Sequence, residues 1–150
     1  MKKLLLMSLL SLVGFNAIAS DCSITYTAND EINAIIKENS FEFDHYETVC
    51  QLLKNANAKV LLTPTSGISN QQTTATVIAR VMDKNLPILS YHYHYSMGSS
   101  PERTTAKEKE LLMDAVSGAL NGINQSDIDN LNANRKKLGV KTYPVLTPKK

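Results

Sequence analysis

The sequence lacks the short motifs by which a chain of this size usually declares a reaction. It contains no G-x-S-x-G elbow, no S-x-x-K, no H-E-x-x-H and no G-x-x-x-x-G-K-[ST]. Strained-serine hydrolysis, serine–lysine acylation, helical zinc proteolysis and P-loop phosphate binding therefore have no carrier. Serines do stand in the turn-forming stretches Ser66-Gly67 and Ser96-Met97-Gly98-Ser99-Ser100. No base adjoins either one in sequence, and turn chemistry accounts for both. Internal repeats and low-complexity linkers are missing too, which argues for one compact unit.

A large charge of one sign is also lacking. Sixteen basic groups against fourteen acidic ones leave a net charge of +2, and Lys2 and Lys3 supply that whole excess. Nucleic-acid affinity comes mainly from neutralising many backbone phosphates, so no nucleic-acid partner is expected. The charges are nevertheless uneven: Asp21, Asp30, Glu31, Glu38, Glu42, Asp44 and Glu47 face only Lys37, whereas Arg135, Lys136, Lys137, Lys141, Lys149 and Lys150 close the chain without an acid. Solvated ends explain this pattern. A weak membrane-surface contact through the short basic C-terminal tail is the functional alternative.

Long apolar runs are limited to one, Leu4 to Phe15, and no segment reaches the roughly 18 residues that a transmembrane helix needs. With Lys2-Lys3 before it and Ala17-Ile18-Ala19 after it, the run reads as a signal peptide covering residues 1–19. Residues 20–150 would then form a single α+β domain, periplasmic or secreted in a bacterium. Lipidation of Cys22 is disfavoured by Asp21, where a small uncharged residue is expected. The triplet Asn124-Gln125-Ser126 reads as an inter-helix loop, not as a glycosylation site.

Cysteine is scarce: Cys22 and Cys50 are the only two, without C-x-x-C spacing. In an oxidising compartment they are expected to form a structural disulfide. Closing that loop contributes about 3–4 kcal/mol in the chain-entropy picture.

What remains reads as helices, then strands, then helices. Thr27 or Asn29 caps a first helix with Ile32, Ile35 and Ile36 inward, and Asp44 with Glu47 starts a second bearing Tyr46, Val49, Cys50 and Leu53. The segments Lys59–Thr65, Thr73–Met82 and Ile88–Met97 are rich in strand formers and predict a three-stranded antiparallel meander. Ser100-Pro101 is expected to open a third helix that stops at Gly122. Ser126 opens a fourth, with Ile128, Leu131 and Leu138 inward and Gly139 as terminator. The expected fold is therefore α+β: the meander packed against N-terminal and C-terminal helices, with one disulfide.

The most unusual chemistry lies in Tyr91-His92-Tyr93-His94-Tyr95. Strand alternation puts Tyr91, Tyr93 and Tyr95 on one side and His92 and His94 on the other. Leu89 and Met97 share the tyrosine side, which is therefore expected to face the core. An open aromatic platform is the functional alternative. His92 and His94 form an H-x-H pair that His45 would complete into a zinc or copper site, if it folded nearby. The plainer reading makes them solvent-facing polar residues. The acid pairs Glu42 with Asp44 and Glu108 with Glu110 resemble helix-start and surface charges more than a glycosidase pair.

These readings converge on a non-catalytic, cofactor-free binding module of the envelope, of interaction, inhibitor or immunity type. Its partner would be another envelope or secreted protein. The expected contact surfaces are the exposed side of the meander with His92 and His94, the turn at Gly98 and the free edge of the three-stranded sheet, and Tyr91, Tyr93 and Tyr95 are candidates if they form the open platform. The alternative is a periplasmic zinc- or copper-binding protein built on His92 and His94.

Overall fold

A computed structural model of the chain describes residues 22–40 and 43–144. The expected leader, Phe41, Glu42, Lys149 and Lys150 lie outside the described residues. Strand β1 (Tyr26–Thr27) leads into helices α1 (Asp30–Asn39) and α2 (Tyr46–Asn55). Strands β2 (Ala58–Ile68), β3 (Thr73–Asp83) and β4 (His94–Ser100) follow, then helices α3 (Thr105–Asn121) and α4 (Gln125–Lys137).

The sheet corrects the expected architecture. It has four strands in the order β1-β2-β3-β4, and it is mixed, because β1 runs parallel to β2 while the other pairs are antiparallel. A two-residue strand such as β1 carries too few side chains for period-two alternation to reveal it. Four helices accompany the sheet, so the class is α+β but not a three-stranded meander between flanking helices. No helix among the described residues is long and apolar enough to cross a membrane.

Helix boundaries follow local chemistry. Asn29 caps α1 by accepting the amide of Ile32 at 3.0 Å, and Asp30 and Glu31 occupy the first turn, where the helix dipole favours acids. Helix α2 has no such side-chain cap: His45 stands at the N-cap, so the expected Asp44–Glu47 box is not formed. Helix α3 is capped by Thr104, which accepts the Lys107 amide at 3.1 Å. Ser100 was the expected cap, but it is still part of β4. Asn124 and Asp127 form a reciprocal capping box on α4. Gly139 ends that helix at φ +66°, with Val140 donating back to the Arg135 carbonyl at 2.9 Å. Leu138, expected inward, is 66% exposed at this terminus.

The core lies on the helix-covered face. Register places Val60 opposite Val81 and Leu62 opposite Ala79, and all four are buried under Leu112, Val116, Ala119 and Leu120 of α3. Ile32, Ile35 and Ile36 of α1, Val49 and Leu53 of α2, and Ile128 and Leu131 of α4 complete it. The expected disulfide is present: Cys22 and Cys50 are bonded across a Cα–Cα distance of 5.9 Å, tying the segment before β1 to α2.

Arg135, read from sequence as part of a basic tail, is fully buried. Its Nε donates to Asp83 Oδ2 at 2.8 Å, one terminal nitrogen to the Ala56 carbonyl at 2.9 Å and Asn132 Oδ1 at 3.1 Å, and the other to the Asn57 carbonyl at 3.0 Å. That second nitrogen also pairs with Asp83 Oδ2. All five guanidinium N–H groups are thereby used. Asp83 Oδ1 accepts the amides of Asn85 and Leu86 at 2.8 and 2.9 Å. Burial alone would raise the Asp83 carboxyl, yet the Asn85 amide, the Arg135 guanidinium and the Leu86 amide together hold it below its ordinary value. This knot joins the start of β2, the end of β3 and the last turn of α4.

Candidate interaction surface

The expected third strand began at Ile88, but β4 begins only at His94. Two asparagines one turn apart on α4 hold the stretch before it. Asn134 Nδ2 donates to the Leu89 carbonyl at 2.7 Å, while Asn130 Oδ1 accepts the Tyr91 amide at 2.6 Å and the Ser90 hydroxyl at 3.2 Å. The Ser90 Oγ in turn accepts the His92 amide at 3.1 Å. These side chains take up backbone groups on the edge that faces away from β3, while Ile88 and Ser90 make the bonds to β3. Only an isolated bridge, Met82 to Leu89, ties this stretch to β3.

The side of β4 that faces the helices carries His94, Ser96 and Gly98, opposite Ala79, Val77 and Ala75. It is a close fit. A Cβ at Gly98 would stand 3.0 Å from Leu111 Cδ2, and one at Gly122 would stand 2.5 Å from His94 Nδ1. A Cβ at Gly118 would collide with Ser96 Oγ. Gly118 and Gly122 lie four residues apart on one face of α3 and its cap, so the missing side chains let the helix end settle onto β4. His94 Nε2 meets Asp127 Oδ2 at 2.9 Å, and the same oxygen accepts the Asn124 amide at 2.9 Å. The buried Asp127 Oδ1 has no hydrogen-bond partner.

This fit reverses the expected orientation of the aromatic run. Tyr93, Tyr95 and Met97 are 54%, 63% and 68% exposed on the sheet face away from the helices. The space beneath β4 is taken by α3 and does not admit tyrosine rings. Tyr95 stands opposite Ile78, and Met97 opposite Thr76. The Arg80 guanidinium lies 5.6 Å from the Tyr93 ring centroid, within cation–π range. Thr63, paired with Ile78, continues the open face onto β2. Tyr91 is also exposed, but it turns toward α4, with Lys137 Nζ 5.7 Å from its ring. Gly98 lies on the covered side, so among these candidates Tyr93 and Tyr95 share the open face.

The histidines do not assemble. His94 is half-buried against Asp127, His92 is exposed before the strand, and His45 caps α2 with its amide bonded to Asn121 Oδ1 at 3.2 Å. Among the described residues no three His, Cys, Asp or Glu side chains gather to hold a metal ion. Of the acid pairs, Glu108 and Glu110 are engaged separately: Glu108 accepts the Ser66 hydroxyl at 2.7 Å, and Glu110 pairs with Lys107. Asp44 is exposed, and Glu42 lies outside the described residues.

Two features escaped the sequence reading. The Asp83–Arg135 pair joins residues 52 positions apart, which no local pattern exposes. Gly118 and Gly122 did carry a signal, a four-residue glycine spacing opposite small residues of a strand. Comparison with protein-family models, with curated proteins and with solved structures finds no match for this chain.

Proposed function

We propose that the chain is a small exported binding module of the bacterial envelope, without catalytic activity of its own, that takes another envelope or secreted protein on the open face and free edge of β4. An inhibitor or immunity-type role belongs to this class. The leader-like start and the disulfide support export. The observation that carries the binding role is the outward set of Tyr95 and Met97 on β4, with Tyr93 just before it, on a strand whose inward side is small and polar. Large amphipathic aromatics held on a sheet supply contact area at low entropic cost.

The edge supports the same reading. Among the described residues β4 pairs only with β3, and its segment His94–Ser100 contains no Lys, Arg, Asp, Glu or Pro. Charges and prolines are the usual guards that keep an exposed edge from pairing. An unguarded edge beside an aromatic face suits strand addition by a partner, with backbone bonds giving affinity and the tyrosines giving selectivity. A photo-cross-linking residue placed at Met97 in the native envelope should capture one defined protein, and one placed at Asp129 on the far side should not. Equal capture from both positions, or none from Met97 in a correctly folded chain, would end this reading.

A further inference from the structure

A second surface lies at the other end of the sheet. Segments 52–59, 83–91 and 134–144 build it, and Asp83 is the only acid they contain. That acid is buried and consumed by Arg135. Lys54, Lys84, Lys136, Lys137 and Lys141 are all exposed. Arg135 links several of them: the Lys84 backbone amide and the Arg135 guanidinium both donate to the Asn57 carbonyl, Lys54 and Lys84 border one hollow, and Lys141 Nζ lies 5.2 Å from the Tyr143 ring that Arg135 stacks on. Among the lysines stand three exposed apolar side chains, Leu86 at 40%, Tyr91 at 71% and Leu138 at 66%. Tyr91, Lys137 and Leu138 line a shallow, mainly apolar hollow of about 330 Å³ floored by Ile88 and Leu89.

We propose that this end docks on an anionic lipid bilayer surface. Unopposed lysines match the negative headgroups, while Leu86 and Leu138 dip into the boundary below them and Tyr91 sits at headgroup level. A soluble acidic protein would use the lysines but has no need of apolar tips on two separate turns. The Asp83–Arg135 knot makes the surface possible by removing the one local negative charge and fixing the 83–87 turn against the end of α4. This docking surface is separate from the open face of β4, so either assignment can fail alone.

Sedimentation of the purified chain with vesicles tests it. Partition into phosphatidylglycerol vesicles should exceed that into phosphatidylcholine vesicles and fall as salt rises. Lys84→Gln with Lys137→Gln should weaken partition roughly 25-fold, at about five-fold per lysine. Leu86→Ser with Leu138→Ser should remove the binding that survives high salt, and all four positions are exposed enough to leave the melting temperature unchanged. Equal binding to both vesicle types, or anionic binding indifferent to the lysine pair, would overturn the proposal. So would binding to polyglutamate as tight as to the vesicles and unaffected by the leucine pair, which would identify an acidic protein as the occupant.

Discussion

Strands β2 and β4 flank β3 and both lie beneath α3, yet they distribute their side chains in opposite ways. β2 turns Val60 and Leu62 inward and Thr63 and Thr65 outward, the usual pattern for a half-covered sheet. β4 turns Ser96 and Gly98 inward and Tyr95 and Met97 outward. The difference is the gap. Beneath β2 there is room for branched side chains between sheet and helices, whereas Gly98, Gly118 and Gly122 let backbone approach backbone beneath β4. The large side chains of β4 are therefore not needed to fill the core beneath the sheet. The two sides are also fastened differently: a buried ion pair and a disulfide hold the β2 side, and close packing with the His94–Asp127 contact holds β4.

Removing one partner of the ion pair should break the β2 side most severely. Arg135→Met leaves the Asp83 carboxylate buried and unpaired, a change that costs about 3–5 kcal/mol. Urea unfolding at neutral pH should show a lower midpoint with an unchanged slope. Asp83→Leu combined with Arg135→Met should recover much of the loss, since both charges then disappear. The pH dependence has a definite sign. Asp83 is held below its ordinary value of 3.8, so its contribution is present above that value and is lost as pH falls through the lower, folded one. The stability gap between the wild-type chain and Asp83→Asn should therefore narrow below about pH 4. A gap that is constant across the acid range would show that the carboxylate charge is not what the knot uses.

The β2 side was the more legible in sequence. The isoleucine stripe of α1, the strand-forming runs of β2 and β3, Gly139 as a terminator and the disulfide all follow from local chemistry or from residue counting. The β4 side was read with its faces exchanged, because alternation tells which residues share a face but not which face is covered. Leu89 and Met97 pointed the tyrosines inward. The decisive facts were the glycines of α3 and the asparagines of α4, more than twenty residues away along the chain. Arg135 was misplaced for a similar reason: among Lys136 and Lys137 it looks like a solvated charge, and only the long-range position of Asp83 makes it a core residue.

Two changes of intermediate size compare the fastenings directly. Replacing Cys22 and Cys50 by Ser should lower stability by about 3–4 kcal/mol in the chain-entropy picture, loosening the segment before β1 from α2 while leaving β4 in place. Gly122→Ala should cost about 1–3 kcal/mol by overpacking the new methyl against the His94 imidazole. Hydrogen exchange distinguishes them: the first should expose amides near Cys22 and α2, and the second amides of β4 and the start of α4. If Gly122→Ala leaves β4 protection unchanged, the close approach of α3 is not what decides the orientation of that strand.

The smallest expected effect on stability sharpens the comparison furthest. Tyr95→Ser with Met97→Ser removes two large apolar groups from the open face, and such surface positions usually lie within about 0.5 kcal/mol of neutral. On β2, the corresponding inward exchange of Val60 and Leu62 would empty part of the core. If β4 carries its large side chains for a partner, the double variant should keep the wild-type unfolding midpoint and lose the capture made by a cross-linking residue placed at Thr76, which stands opposite Met97 on β3. A substantial loss of stability would show instead that the tyrosine and methionine support the sheet through Ile78 and Thr76. The outward face of β4 would then be structural, and the inverted pattern would need no partner to explain it.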